Sequence, residues 1–409
     1  MKKTMKKVVF LISLLFCQTS FAIHEKSGLF FNLATTSSTL NITTTIPNHS
    51  YPNAGIKVNT SGFSIQSGCT ANANGYCLFP VSDTSSATIS MTGPVGGVQV
   101  TLCLNGLGPL SCQQYAVSRR SSQIFVGDVA TNYVLTFPAD GNGNISPIYN
   151  LSGSNTGNNV PYDLYLDSSN HLWVSNWSNA SSGSVTQFLL PANGNVFPQV
   201  KIAGVNTTFR GPSGVGKDAI GNIYVADYDS NAINIFAPGS IGNVAPIRRI
   251  FGNVTMLDSP QSIIITPLGN IYVTNAGGSG NILEFAAGAD GNVPPIRIIT
   301  SEFILVLTGL WIDMSGNIWV TDNFYNSIVE FSSNANGDST PIRTITGPNT
   351  NIIGAYGLSI DAQGYIYEVG TGFPGINVFS PTANGNVAPV QVITGPNTLL
   401  SSPAGLSVN

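Results

Sequence analysis

The sequence is poor in charge, because Asp, Glu, Lys and Arg make up 8% of its 409 residues, against about a quarter in an ordinary soluble domain. Exposed helices are built from such residues, so their scarcity argues against helical bundles, coiled coils and helix-rich α/β enzymes. A hydrophobic fraction of 42% argues against disorder. The 44 glycines and 24 prolines favour an all-β chain of short strands and tight turns.

Histidine is scarcer still. The three histidines are His24, His49 and His171, and the first two fall in a different region from the third. This excludes a three-histidine zinc site and a Ser-His-Asp triad. His171 is interpreted as an exposed turn residue.

The first 22 residues are typical of a secretory signal peptide. Lys2, Lys3, Lys6 and Lys7 precede an apolar run over residues 8–16, and Ala22 ends a small-residue cleavage site. The run is too short to span a bilayer, and no second long apolar segment follows. We therefore expect an exported chain, secreted or periplasmic and without a membrane span. Lipidation at Cys17 is the weaker alternative.

The charge balance disfavours two classes of partner. Removal of the four lysines in residues 1–22 changes the net charge from −4 to −8. Nucleic acids and anionic membrane surfaces need clustered Lys and Arg, and after residue 22 basic pairs occur only at Arg119-Arg120 and Arg248-Arg249. We expect no nucleic-acid partner. The oligomeric state is left open.

Four cysteines mark off an N-terminal region, residues 23–118. An even number in an exported chain predicts two disulfides, and short loop closures favour Cys69–Cys77 and Cys103–Cys112. The other pairings remain open, and a four-cysteine zinc site is the rival, although the spacing does not match zinc knuckles. Alternating Thr, Ser, Val and Ile predict a small disulfide-stapled β-sandwich-like domain, followed by a linker at residues 119–122.

From residue 123 onward the chain repeats itself. The pattern Gly-Asn, apolar residue, any residue, Pro recurs at steps of 46 to 51 residues. A period near 50 in an all-β chain predicts a β-propeller with one four-stranded blade per repeat. The copies begin at Gly143, Gly194, Gly242, Gly291 and Gly385, with a degenerate copy at Gly337.

A second motif runs in phase with the first. Its best copy, residues 218–227, reads Asp-Ala-Ile-Gly-Asn-Ile-Tyr-Val-Ala-Asp. We interpret it as a hairpin in which Asp caps a tight turn before an apolar strand. Repetition in every blade favours a structural role for these acids and for the strand aromatics. A calcium site among the carboxylates is the alternative.

The two ends of the repeat region complete each other. Residues 402–409 form a first strand without a second, and residues 123–128 form a second strand without a first. Joined in one blade, they close the ring and leave no free edge. The sequence therefore predicts six blades over residues 123–409.

These motifs resemble the NHL-repeat family of six-bladed propellers, most closely over residues 212–236. The arginine that the family usually carries before the third strand is absent here, where Tyr133, Ala232 and Ser327 stand. The resemblance implies an interaction platform or, less often, an enzyme. Related six-bladed propellers include metal-dependent lactonases and an amidating lyase.

The non-repeating residues are the better binding candidates. The position before the first strand of each blade should line one mouth of the channel, and Asp163 replaces the usual glycine beside it. Two exposed loop aromatics join them, since such residues favour protein or sugar contacts. The alternative is that these residues are solvent-exposed loop tips. The candidates are Tyr162, Asp163, Ser213, Gln261, Thr308, Tyr356, Trp177 and Tyr325, with Ala404 at the sixth position.

The sequence thus favours an exported propeller that binds a protein or carbohydrate partner. It predicts no catalytic residue, no metal ligand and no cofactor beyond the calcium alternative. A metal-dependent lactonase- or lyase-type enzyme is the second hypothesis. A structural module of a surface layer or filament is the third.

Overall fold

The computed structural model describes the strands between residues 30 and 119, and then residues 122–178, 183–313 and 315–409. The chain divides into two compact units, residues 1–122 and 123–409. The predicted signal peptide, His24, His49 and Cys69 lie outside the described residues. None of the described helices is long and apolar enough to cross a membrane.

The first unit contains two antiparallel sheets, with strand orders β1-β2-β7-β4 and β5-β6-β3-β8-β9. Cys103 of β8 and Cys112 of β9 are register partners, and the predicted disulfides stay a prediction. The strands are β1 (Phe30–Thr35), β2 (Thr39–Thr45), β3 (Tyr51–Val58), β4 (Ser64–Ser67), β5 (Thr70–Ala71), β6 (Cys77–Val81), β7 (Ala87–Thr92), β8 (Gly96–Leu104) and β9 (Cys112–Arg119).

The second unit is a ring of six antiparallel sheets. Its strands are β10 (Gln123–Asp128), β11 (Tyr133–Pro138), β12 (Tyr149–Leu151), β13 (Pro161–Leu166), β14 (His171–Asn176), β15 (Ser184–Leu189), β16 (Val200–Ala203), β17 (Pro212–Lys217), β18 (Ile223–Asp227), β19 (Ala232–Phe236), β20 (Arg248–Phe251), β21 (Pro260–Ile265), β22 (Ile271–Asn275), β23 (Asn281–Phe285), β24 (Arg297–Thr300), β25 (Leu307–Ile312), β26 (Ile318–Asp322), β27 (Ser327–Phe331), β28 (Gly337–Asp338), β29 (Arg343–Thr346), β30 (Ala355–Ile360), β31 (Ile366–Gly370), β32 (Phe373–Phe379), β33 (Gln391–Thr394) and β34 (Pro403–Val408). Short 3-10 turns occupy Val205–Thr207, Tyr228–Ser230 and Pro396–Thr398.

Each sheet is one blade, with strands a to d counted from the centre. Blade 1 is β34-β10-β11-β12, blade 2 is β13-β14-β15-β16, blade 3 is β17-β18-β19-β20, blade 4 is β21-β22-β23-β24 with β28 added, blade 5 is β25-β26-β27-β29 and blade 6 is β30-β31-β32-β33. The strands a contact one another around the ring. The predicted six-bladed propeller is therefore confirmed.

The closing blade is also confirmed. The last strand, β34, pairs antiparallel with β10, with Ile124 opposite Val408 and Val126 opposite Leu406. The backbone N–H of Asn409 donates to the carbonyl of Gln123 at 3.2 Å. Asn409 thus takes the place that the turn aspartate has in most other blades, and the first and last strands of the propeller meet where a hairpin turn would be.

The Gly-Asn-x-x-Pro repeat joins neighbouring blades. The glycine of each copy forms a short parallel bridge to strand d of the preceding blade, as Gly242 does with Ile202. The asparagine after this glycine accepts, through its side-chain oxygen, a backbone N–H from the loop that follows that strand d. Asn243 does so from Asn206 at 2.7 Å. The motif therefore ties the outer edge of one blade to the next.

The second repeat forms the turn between strands a and b. Asp218 accepts the backbone N–H of Asn222 at 2.8 Å, and its other oxygen accepts the hydroxyl of Tyr224 at 3.1 Å. Asp167, Asp313 and Asp361 bond their turns and a strand-b aromatic ring in the same way. These acids are turn caps, which is the role their repetition predicts.

The core lies between adjacent blades. Apolar side chains from facing sheets form one cluster at each blade interface, such as that of Ile233, Ile263 and Val273 between blades 3 and 4. The strand-b aromatics, from Phe125 to Tyr367, are buried in these clusters. The spaces between blades are filled by residues that repeat in every blade. Residues that depart from the repeat are therefore candidates for another role.

Candidate functional site

The candidate binding residues lie on one face of the propeller. The loops from strand d to a and from strand b to c are at the same end of every blade, which we call the upper face. Strand a begins two residues earlier than the sequence suggests, so the positions expected immediately before strand a are its second residues. They are therefore not loop tips, and several of them are buried.

Small residues fill this second position in three alternate blades. Ala404, Ser213 and Thr308, in blades 1, 3 and 5, are buried. The hydroxyl of Ser213 donates to the carbonyl of Pro260 at 2.7 Å, and that of Thr308 donates to the carbonyl of Ala355 at 2.9 Å. Both hydroxyls therefore join their blade to the next one, and neither is free to bind a ligand.

Large residues fill the same position in blades 2, 4 and 6, and they meet across the channel. The rings of Tyr162 and Tyr356 have centroids 5.1 Å apart and stand nearly perpendicular. The Tyr356 hydroxyl donates to Oε1 of Gln261 at 3.4 Å. Burial raises the pKa of both tyrosines, and each is hydrogen-bonded to the other and to Gln261. Together these three residues occupy the upper mouth of the channel.

Loops from blades 2 and 3 extend the site. Trp177 is half-buried and not exposed as predicted, because its ring stacks on that of Tyr162 with centroids 6.1 Å apart. Trp177 and Tyr228 occupy equivalent positions after strand b, and each donates its backbone N–H to the residue before strand a, namely Val160 and Gly211. The equivalent backbone hydrogen bond is present in all six blades. It fixes the backbone that carries these aromatic side chains.

Asp229 and Gly211 belong to the site although Gly211 carries no signal in the sequence. A Cβ atom at Gly211 would lie 2.6 Å from Oδ2 of Asp229 and 2.6 Å from Nε1 of Trp177. The absence of a side chain at Gly211 therefore allows the carboxylate and the indole N–H to approach each other. An alignment of the blades would not reveal this, because the contact joins two blades.

Asp163 occupies a position that is glycine in four of the other blades. Its carboxylate accepts the backbone N–H of Leu164 at 2.9 Å and that of Val215, in blade 3, at 3.1 Å. Burial raises the pKa of Asp163 to about 7, although these two hydrogen bonds oppose the shift. The group is therefore a bridge between two blades that changes its charge near neutral pH.

Tyr325 lies on the same face but in blade 5. Its ring contacts that of Phe324, with centroids 5.0 Å apart, and both side chains are exposed. No described ring contact joins either of them to the cluster at the channel mouth. The structure thus brings together Tyr162, Trp177, Gln261 and Tyr356 from the predicted set, with Asp163 next to them in strand a.

The acids after strand b hold the upper loops. Asp128, Asp227 and Asp322 are buried, and Asp227 accepts the backbone N–H of Gly211 at 2.7 Å. At the opposite end of the blade, His171 is half-buried at the start of β14 and not an exposed turn residue as predicted, because its ring contacts Asp167 at 3.2 Å. Lys217 contacts the same carboxylate at 2.9 Å. Among the described residues, no three His, Cys, Asp or Glu side chains are grouped so as to hold a metal ion.

Blade 6 contains one residue that sequence reasoning missed. Glu368 is fully buried in strand b, where the five other blades have valine. Its Oε2 accepts the side-chain N–H of Asn377 at 2.8 Å, and its Oε1 has no hydrogen-bond partner in the described part of the chain. Burial raises the pKa of Glu368 to about 8. The signal was present in the aligned repeats, as a charged residue in an otherwise apolar column.

The strand topology places the chain among the six-bladed β-propellers. No family model matches the chain, and no curated protein matches it, so NHL membership is not shown.

Solved structures of low identity match the fold. A proposed 6-phosphogluconolactonase from Bacteroides uniformis is 17% identical over 68% of this chain and 84% of that one, with a TM-score of 0.48. A protein of unknown function from Bacteroides caccae is 10% identical over 71% and 99%, with a TM-score of 0.50. A streptogramin B lyase is 16% identical over 61% and 73%, with a TM-score of 0.36. At these identities the likeness concerns the fold and says nothing about activity.

Proposed function

We propose that this chain is an exported binding protein whose propeller presents the upper channel mouth to a protein or carbohydrate partner. The observation that carries the proposal is the convergence of Tyr162, Gln261 and Tyr356 from alternate blades, with Trp177 stacked beside them. Aromatic side chains with a polar tip supply large contact areas at binding sites. We also propose that the propeller is a divergent member of the NHL-repeat family.

The repeated residues are accounted for by structural roles, which leaves the non-repeating residues at the channel mouth as the candidates for binding. The turn aspartates, the strand-b aromatics and the Gly-Asn pairs are engaged in holding the blades together. A ring built from equivalent blades needs those residues everywhere, whereas recognition of one partner needs an asymmetric surface. Four asymmetric residues of the upper face, Tyr162, Trp177, Gln261 and Tyr356, meet at the channel mouth.

A lactonase- or lyase-type activity at the same mouth is the second candidate. It is favoured by Asp163, an acid with a pKa of about 7 beside the channel, because catalytic acids and bases are often tuned to that range. Metal analysis of the purified chain and lactone-hydrolysis assays with added Ca²⁺ test it. Activity lost in Asp163→Asn but kept in Asp229→Asn would favour the enzyme over the platform.

The binding proposal is tested by partner capture with matched variants. Wild-type chain, Trp177→Ala and Phe324→Ala are compared for binding to a glycan array and to cross-linked proteins from the exporting cell. We expect a defined partner to be lost with Trp177→Ala and kept with Phe324→Ala, since both residues are upper-face aromatics but only Trp177 is in the cluster. Equal retention by both variants contradicts a site at the channel mouth.

A further inference from the structure

The upper channel mouth combines aromatic rings with a carboxylate. We infer that it binds an organic cation, meaning an ammonium or guanidinium group carried by the partner. This inference rests on the proposed function, because it assumes that the mouth is the binding site, and it specifies the chemistry of the ligand. The group concerned is Tyr162, Trp177, Tyr228, Asp229 and Tyr356.

The aromatic part of the site comes from three blades. The rings of Trp177 and Tyr162 are stacked at 29°, and that of Tyr356 stands at 84° to Tyr162. Tyr228 is close enough to add to the raised pKa of Tyr356, after burial and Tyr162. The faces of Trp and Tyr rings carry negative potential and attract ammonium and guanidinium groups placed over them.

The carboxylate adds a full negative charge. Asp229 is exposed, and it forms no ion pair with any residue that the structure describes. Its charge acts on the cluster, because it contributes to the raised pKa of Tyr162 after burial. An unpaired carboxylate beside aromatic rings is complementary to a cation and repels an anion.

The nearest basic residue in the sequence, Arg210, forms no ion pair with Asp229 in the part of the chain that the structure describes. Arg210 precedes Gly211, and burial together with the nearby charge of Arg210 lowers the pKa of Arg249. Arg249 belongs to strand d, the outermost strand of blade 3, and its guanidinium stacks on Phe251 at 4.7 Å. The charge of Arg210 thus acts on Arg249, which lies in the outer strand of blade 3.

A neutral sugar fits the same groups less well. Sugar recognition needs several free hydrogen-bonding groups, but Tyr162, Tyr356 and Gln261 already bond one another. The groups that remain for a ligand are ring surfaces and the Asp229 carboxylate. These favour a compact, weakly hydrated cation over a polyhydroxylated ring.

The test uses the full chain and calorimetric titration with choline, arginine methyl ester and 3,3-dimethylbutan-1-ol, which is a neutral isostere of choline. We expect at least one of the cations to bind about 10-fold or more tightly than the neutral alcohol. Tighter binding of arginine ester points to a side chain of a protein partner, and tighter binding of choline points to a small quaternary ammonium ligand. If neither cation binds more tightly than the neutral alcohol, the inference is overturned.

Two variants locate the binding. Trp177→Leu keeps apolar bulk but removes the ring, and Asp229→Asn keeps the shape but removes the charge, so each should weaken cation binding about 10-fold. Tyr325→Leu, on the same face but in blade 5, should leave it unchanged. If the Trp177-dependent partner of the capture experiment binds while no cation does, the inference fails and the proposed function stands. If neither binds, both fail.

Discussion

Glu368 shows how a single residue departs from an otherwise regular core. Its column is valine in the five other blades, and the neighbouring side chain of Asn377 supplies one hydrogen bond to one of its two oxygens. A buried carboxyl group without full hydrogen bonding is destabilising when ionised, so the folded chain holds its proton up to about pH 8. The residue therefore makes blade 6 sensitive to pH.

We predict that Glu368→Gln removes part of the pH dependence of stability. The unfolded chain ionises Glu368 near pH 4.5 and the folded chain near about pH 8, so the folded state binds more protons in between. Stability should fall as pH rises through that interval and then level off. Thermal unfolding should give equal Tm values at about pH 4, and a Tm about 3 °C or more higher for the variant at about pH 9.

Asp163→Asn is the matched control for that experiment. The pKa of Asp163 is raised to about 7. Its contribution to the pH dependence of stability therefore levels off at a lower pH than that of Glu368. Between about pH 7 and 8 the Glu368 variant should lose more of the wild-type dependence of Tm on pH than the Asp163 variant, because Glu368 holds its proton to a higher pH. A Tm difference between Glu368→Gln and wild type that is the same at both extremes of pH would contradict the assignment.

At the scale of the element, the Gly-Asn-x-x-Pro loops hydrogen-bond neighbouring blades to one another. Strand d is the outermost strand of each sheet and would otherwise expose unpaired backbone groups. The bridge from Gly242 to Ile202, and the hydrogen bond from Asn206 to Asn243, cover part of that edge. Gly204 has φ of +119°, and a Cβ there would lie 2.5 Å from the Asn243 side chain. The contact between these two loops therefore also requires glycine at position 204.

We predict that Asn243→Ala lowers the free energy of unfolding by about 1 kcal/mol, because it removes one acceptor of a backbone N–H at an exposed position. Asn243→Asp keeps the acceptor oxygen and should cost less. Urea unfolding of the three proteins measures the difference. Equal losses in both variants would show that the amide N–H, and not the oxygen, is what the loop needs.

We expect Gly204→Ala to be more destabilising than Asn243→Ala. The substitution forces an L-residue into a conformation that only glycine adopts readily and places a methyl group against Asn243. Such strain costs about 1–3 kcal/mol. The double variant Gly204→Ala/Asn243→Ala separates the two causes in the same urea experiment. If the double variant is as stable as Asn243→Ala alone, the contact with the Asn243 side chain dominates and the backbone strain is small.

For the whole molecule, the sequence predicts the ring better than it predicts the site. Six blades and their shared closure follow from a repeat near 50 residues, and from the half repeats at residues 123–128 and 402–409, because each blade is a local unit. The channel mouth depends on contacts across the ring. Tyr162, Gln261 and Tyr356 stand in one aligned column, yet only the ring brings alternate members together, and only the loop from blade 3 places Asp229 beside Trp177.

Closure of the ring depends on the last strand of the chain. Strand β34 supplies strand a of blade 1 and contacts strands a of blades 2 and 6. A chain that ends at residue 402 leaves the edge of β10 open, together with the buried side chains of Ile124 and Val126. We expect it to lose cooperative unfolding and to aggregate, as assessed by thermal denaturation and size-exclusion chromatography.

Leu406→Ala in the full-length chain is the control, because it keeps the backbone pairing of β34 with β10 and removes only a buried side chain. Large-to-small core substitutions of this kind cost about 2–5 kcal/mol, so this variant should stay monodisperse and unfold cooperatively at a lower temperature. The contrast separates the loss of a core side chain from the loss of closure. If the truncated chain is also monodisperse and cooperative, five blades and an open sheet are stable by themselves, and the shared blade does not hold the ring together.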